Sequence, residues 1–376
     1  MTREPRQRLV SALGAVAMVA TAGLAAVAVP TAAHAAPPGA TTEQALTETS
    51  TTVRNPDGTR AVTLHAGPVR LRQGTQWRPI DLTLVAGPDG VVRPTAVAHD
   101  LTLPPTGPVV RFAGGGSAAL EWTTPLPAPR LAGHRATYPQ ALPGHDLVVA
   151  ATSSGFLAAL HRTDPAAAPV PPLTLRRDGQ PAGAGESIAG ESMVETESAV
   201  SRVVAAAPTG PAPVPFDTTV QTTVLRSDLS GDPDLRLGSY DGTAVARSLL
   251  TWDTASLAGQ QVMSARLLVH QDWSASCRPR AWEVWTAPAA GPGTRWANQP
   301  VADRLWATST DTRGHTACAG GWSGVDVSEL VRGWAGAGAP TGTVQLRASD
   351  EHDPLAWKRF SSAESAHVPH LEVTLA

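Results

Sequence analysis

The stretch Val262-Met-Ser-Ala-Arg-Leu-Leu-Val-His270 alternates along its whole length. Side chains of an extended chain point to opposite faces with a period of two. Met263, Ala265, Leu267 and Val269 therefore share one face, and Val262, Ser264, Arg266, Leu268 and His270 share the other. The first set is the expected core face, and the stretch predicts a half-buried strand. The pattern recurs downstream, with Val344, Leu346 and Ala348 set against Thr343, Gln345 and Arg347, and Leu371, Val373 and Leu375 set against His370, Glu372 and Thr374. Against this background Val327, Leu330, Val331 and Trp334 fall at helical spacing, which predicts one short helix with Asp326 or Ser328 at its N-terminus.

Upstream, short alternating runs are punctuated by turn signals. Thr51-Thr-Val-Arg54 precedes Asn55-Pro-Asp-Gly58, and Ala61-Val-Thr-Leu-His65 follows, the signature of a hairpin. Runs of this kind continue to Phe156-Leu-Ala-Ala-Leu160, and no long amphipathic helix interrupts them. Residues 164–215 are dominated by Ala, Pro, Gly, Glu and Ser; they read as a linker with a strand near Leu173-Thr-Leu-Arg176 and a weak helix over Glu186–Arg202. The expected organisation is mainly β: a signal peptide over 1–35, a β-rich domain over 41–163, the linker over 164–215, and a jelly-roll-like β-sandwich with one short helix over 216–376.

Arg3, Arg6 and Arg8 precede an apolar run from Leu9 to Val29, and Ala33-His34-Ala35 supplies a small-x-small site. That order predicts export with cleavage between Ala35 and Ala36, the alternative being a retained anchor. No later segment is apolar and long enough to span a bilayer, so no membrane span is expected after cleavage. In an oxidising compartment the two cysteines, Cys277 and Cys318, can form one bridge, whose loop of about 41 residues would stabilise by up to ~4 kcal/mol. A net charge of −3 leaves no basic footprint for nucleic acid. Nothing in the sequence fixes an oligomeric state.

Asp234-Leu-Arg-Leu-Gly238, Arg247-Ser-Leu-Leu-Thr-Trp-Asp253, the 262–269 strand, Thr294-Arg-Trp-Ala-Asn-Gln-Pro300, Asp326-Val-Ser-Glu-Leu-Val-Arg-Gly-Trp334 and Arg359-Phe-Ser-Ser362 occur in one order. That succession resembles the DNRLRE domain, also classed as carbohydrate-binding module family 96, over about Phe216–Ala376. Trp252 stands where the family commonly has Phe. The resemblance implies an extracellular, non-catalytic β-sandwich that attaches to polysaccharide. Residues 41–163 are similar to the leading region of large secreted actinobacterial proteins that carry such domains, which names neither their fold nor their task.

Motifs for catalysis are missing from the sequence. There is no HExxH, CxxC pair or GxSxG elbow, and Lys358 is the single lysine, so no Ser-x-x-Lys or P-loop lysine exists. His367-x-x-His370 reads as a solvated edge-strand pair rather than a zinc site. Asp228, Asp232 and Asp234 sit in a Gly-rich segment where a calcium ion, the one cofactor considered, could be held; solvated turn carboxylates are the alternative. The same holds for Asp350-Glu-His-Asp353.

Tryptophan is the strongest signal. There are 11, against 4 Phe and 2 Tyr, and nine fall between Trp252 and Trp357. Sugar C–H faces stack on flat indoles while hydroxyls need polar neighbours. Trp252 and Trp334 read as core. Trp282 and Trp285 face opposite ways along a strand, and Trp285 is the outward one. Trp273, Trp306 and Trp322 are expected in loops, and Arg247, Asp272 and Arg304 are candidates to orient hydroxyls or anionic sugars. The expected function is attachment to an extracellular or cell-wall polysaccharide through Trp273, Trp285, Trp306 and Trp322. The alternatives are an envelope adhesion protein with Trp as core, or a polysaccharide-degrading enzyme with a carboxylate pair.

Overall fold

The computed structural model describes residues 44–168, 173–182, 199–206, 214–225 and 228–376. The expected leader, with Ala35 and Ala36, lies outside them. Two groups of strands enclose the C-terminal core. One contains Arg60–His65, His370–Leu375, Val262–Ser274, Lys358–Ser361 and Asp234–Ser239, with Gly321–Asp326 also paired to Val262–Ser274. The other contains Phe216–Gln221, Val245–Asp253, Thr341–Ala348, Trp282–Thr286 and Leu305–Ser309. Asp234–Ser239 belongs to both, pairing first with Lys358–Ser361 and at its end with Val245 and Ala246, so the groups are halves of one folded-over sheet.

Between the halves lie Trp252, Trp282, Leu267, Leu346, Phe360 and Leu371. The two indoles are wholly buried, and truncating either to alanine would cost ~3–5 kcal/mol. The helix Ser328–Gly336 closes one end through Leu330, Val331 and Ala335. Its Trp334 ring packs where a Cβ on Gly342 would sit, which is why that strand position carries glycine. The expected cap is partial: Asp326 Oδ1 accepts from Ser328 N at 2.8 Å, and the Ser328 hydroxyl is spent on Ala265. Cys277 and Cys318 are bridged, with Cα atoms 5.9 Å apart.

A second core, including Val110, Tyr138, Leu147, Phe156 and Leu160, is flanked by two five-stranded sheets. One contains Arg130–Ala132, Arg135–Leu142, His145–Ala151, Gly155–Arg162 and Ala199–Ala206; the other contains Asp100–Thr102, Val109–Arg111, Ser117–Leu120, Leu175–Arg177 and Gln180–Ala182.

Three expectations are revised. Arg60–His65 pairs antiparallel with His370–Leu375, Val62 opposite Val373, so Val62, Leu64 and Ala66 join the C-terminal core rather than that of 41–163. Alternation identifies a strand without identifying its partner. Within 164–215, Ala199–Ala206 is a strand on Gly155–Arg162, which excludes a helix over Ala199–Arg202; residues 183–198 lie outside the described ones. In the 262–270 stretch the register slips between Val262 and Ser264, so Val262 is buried and Met263 exposed, reversing the expected faces at that end. From Ala265 onward the expected faces hold: Ala265, Leu267 and Val269 are buried.

Candidate functional site

The outward face of the strands Arg60–His65, His370–Leu375, Val262–Ser274 and Gly321–Asp326 collects imidazoles. Register sets this directly, because His65 lies opposite His370 and His270 lies opposite Trp322. The segment that follows Ser362 brings His367 over the same face. His367 stacks on His270 with ring centroids 3.8 Å apart and planes 18° from parallel. Trp322 meets His270, His367 and His370 edge-to-face at 5.3, 5.9 and 4.9 Å. It remains 39% exposed, the most open of the tryptophans.

Charge on this face is restrained by burial. Burial, the facing His370 and Arg70 push His65 down to about 4. Burial also holds His370 below the usual imidazole range, and burial together with the facing His270 does the same for His367. His134, at the turn before Arg135–Leu142, is held low by burial and Arg135, and it feels both Asp272 and His367. Asp272 is exposed: its Oδ1 lies 2.9 Å from His270 Nδ1, and the Ser361 hydroxyl donates to its Oδ2. One ligand atom from each of His270, Asp272 and His367 lies within 4.8 Å of the others, an arrangement able to hold a metal ion.

The segment carrying His367 is anchored from below. Asp217 Oδ2 accepts from Ala363 N at 2.7 Å, and Glu364 lies beside it. Burial pushes Asp217 up to about 7, and burial with the neighbouring Asp217 charge raises Glu364 well above the carboxylate range. Ser153, from the region of the second core, also grips this segment, donating through Oγ to Ala363 O at 3.1 Å and through N to Glu364 O at 2.9 Å.

The other sugar-contact candidates are placed differently. Trp273, Trp306 and Trp322 lie within strands rather than loops, since Val262–Ser274, Leu305–Ser309 and Gly321–Asp326 contain them. Trp285 does face outward while Trp282 is buried, but guanidiniums lie over the partly buried rings. Arg347 stands 3.8 Å from the Trp285 centroid, Arg304 4.1 Å from Trp306, and Arg359 5.0 Å from Trp273. Arg247 lies 4.8 Å over Trp296 and grips Glu351 through two bonds of 2.6 and 2.7 Å. Arg247 and Arg304 are thus occupied as lids on indoles. Of the seven candidates, Arg304 covers Trp306, and Trp322 and Asp272 are brought to one place through His270, which touches both.

Two of the aspartates considered for calcium, Asp232 and Asp234, are bound to arginine. Asp232 is buried and takes Arg202 at 2.6 Å and Arg236 at 2.7 Å, and Asp234 takes Arg202 at 3.1 Å. Asp228 accepts from Ser230 N within its own turn. Glu351 and Asp353 are likewise paired, with Arg247 and Arg280. Guanidiniums thus engage Asp232, Asp234, Glu351 and Asp353, whereas Asp228 is engaged by a backbone N–H. His270 and His367 were not joined by sequence reasoning, which paired His367 with His370; His370 instead pairs with His65 across strands. A usable signal existed, because His270 and Asp272 stand two apart on one face of a strand.

No protein-family description matches the chain, and no curated protein matches it. Among solved structures, an exo-β-1,3-galactanase from Phanerochaete chrysosporium with galactose is similar at 8% identity and a TM-score of 0.17, over 86% of this chain and 65% of that enzyme. The chain therefore spans less than two thirds of that enzyme's length. An alanine variant of the enzyme with β-1,3-galactotriose aligns at 7% identity and a TM-score of 0.13, over 87% of this chain and 82% of the other. Overlaps this low do not establish a common fold. Among the described residues no helix is long and apolar enough to cross a membrane.

Proposed function

We propose that the chain is an exported, non-catalytic attachment protein that holds an extracellular polysaccharide against the face of Trp322. One observation carries this reading: Trp322 keeps 39% of its surface open on a rigid strand, flanked by His270, His367 and, one strand away, Asp272. An indole offers the apolar plane a sugar ring stacks on, and the imidazoles and carboxylate supply hydroxyl partners. A single such platform supports weak binding, in the micromolar to millimolar range expected of one stacking site.

The test is retention of the folded protein on insoluble polysaccharides, wild type beside Trp322→Ala. Loss of one stacking contact of about 1–1.5 kcal/mol should weaken binding roughly fivefold to tenfold and remove any shift of tryptophan emission on adding glycan. Equal retention of both proteins on every polymer that binds would overturn the assignment of Trp322.

A second reading, an envelope adhesion protein using tryptophan as structural mortar, is favoured by the guanidiniums that cover Trp77, Trp273, Trp285, Trp296 and Trp306. It expects no glycan retention at all. Release of reducing ends from any polymer would replace both readings with an enzyme.

A further inference from the structure

We propose that His270, Asp272 and His367 form a surface site for one divalent transition-metal ion of the zinc class, beside Trp322 and open to solvent. The site does not depend on the glycan reading.

The donors favour this class of ion. Two imidazoles and one carboxylate suit zinc, cobalt, nickel or copper, whereas calcium prefers an all-oxygen shell. The geometry is half-formed already. His270 Nδ1 and Asp272 Oδ1 are 2.9 Å apart, within about 0.5 Å of the ~3.3 Å that separates two ligands on one tetrahedral ion. A cation bound by both would replace this contact. His270 and Asp272 project from one strand whose intervening residue, Gln271, is pinned inside by bonds to Asp311 O and the Ser323 hydroxyl, so these two ligands are preorganised. His367 is the adjustable third. It is exposed, its backbone N–H rests on Ser365 Oγ at 3.2 Å, and its ring lies nearly parallel to that of His270. The three ligand atoms now lie within 4.8 Å, and a small rotation of this surface side chain draws them together.

Two stacked imidazoles beside a carboxylate also have a simpler use, as a hydrogen-bonded surface patch. The third donor separates the alternatives: a patch has no need of His367, whereas an ion does. The remaining coordination positions face solvent at the edge of the Trp322 ring, which makes that indole a built-in reporter.

The experiment uses the untagged full chain after chelator treatment, titrated with cobalt(II) followed by absorption and with nickel(II) followed by tryptophan emission. One ion per chain should bind saturably, with partial quenching of emission. Either His367→Ala or His270→Ala should weaken binding about tenfold or more. Trp322→Phe should keep the stoichiometry and lose most of the quenching, and His352→Ala, at a separate exposed loop, should change neither. His367 is a surface residue, so its variant tests the site even if His270→Ala folds poorly. Absence of saturable binding, or binding untouched by His367→Ala, overturns the proposal. An ion that binds as described on a protein retained by no polysaccharide leaves this site standing and removes only the glycan reading.

Discussion

Two outward surfaces of the same sandwich treat tryptophan in opposite ways. Around Trp282–Thr286, Thr341–Ala348 and Leu305–Ser309, each outward indole has an arginine over its ring, and Arg347 is held in place by Glu283 at 3.2 Å. Around Trp322 the neighbours are imidazoles set steeply to its plane, and the indole stays exposed. The difference lies in the partner's chemistry. A planar, permanently charged guanidinium is drawn over the electron-rich ring face, whereas the imidazoles here stand at 70°, 80° and 86° to the indole plane. Abundance of tryptophan is thus no measure of available binding surface.

If arginine here serves stability and histidine serves ligand capture, removing arginines should lower melting temperatures and removing histidines should not. The largest effect is expected for Arg236→Ala. Arg236 is wholly buried, and its loss strands the equally buried Asp232 with one of its two guanidinium partners, at a cost of about 3–5 kcal/mol in chemical denaturation. An effect under about 1 kcal/mol would break the stabilising half of the comparison.

Next comes Asp217, the anchor of the segment that carries His367. Its pKa is raised to about 7 from the ordinary carboxyl value of 3.8, so its protonated form stabilises the fold fully below about pH 4, and that stability is lost as pH rises through about 7. Glu364 acts with the same sign. His65, lowered from 6.5 to about 4, acts oppositely: its contribution is present above pH 6.5 and lost as pH falls through about 4. The melting temperature of wild type minus that of Asp217→Asn reports on the Asp217–Glu364 pair and should decline from pH 4 to pH 7. A flat difference would show that Asp217 titrates normally.

The smallest effect separates the surfaces themselves. Arg347→Ala removes a cation–π contact and a partner of Glu283 and should cost about 1 kcal/mol, whereas His367→Ala should stay within roughly 0.5 kcal/mol of wild type. Equal costs would erase the distinction.

Much of the sandwich was legible because burial writes a period-two pattern. Leu371, Val373 and Leu375 are buried as read, and Trp252 is core. Reading failed where a second layer or a distant partner intervened. Thr343 and Gln345 were expected outward, yet both are buried, and nearby Ala287, Ala290 and Trp296 pack over Phe216, Val220 and Leu249 on that side of the sheet. Alternation reports one covered face and is silent about a loop laid over the other. The site was less legible still. Trp322 and Asp272 were singled out, but the cluster depends on strand register between segments some 50 to 300 residues apart, which no local pattern encodes. Arginine lids were invisible for the same reason: Arg359 and Trp273 meet only across a strand pair.

The pairing of Arg60–His65 with His370–Leu375 has a consequence for biosynthesis. A ribosome releases the early strand long before its partner exists, so its backbone edge stays unmatched while some 300 further residues are made. A chain arrested before residue 370 keeps that edge raw and is expected to be sticky, whereas one that includes His370–Leu375 has sewn it shut.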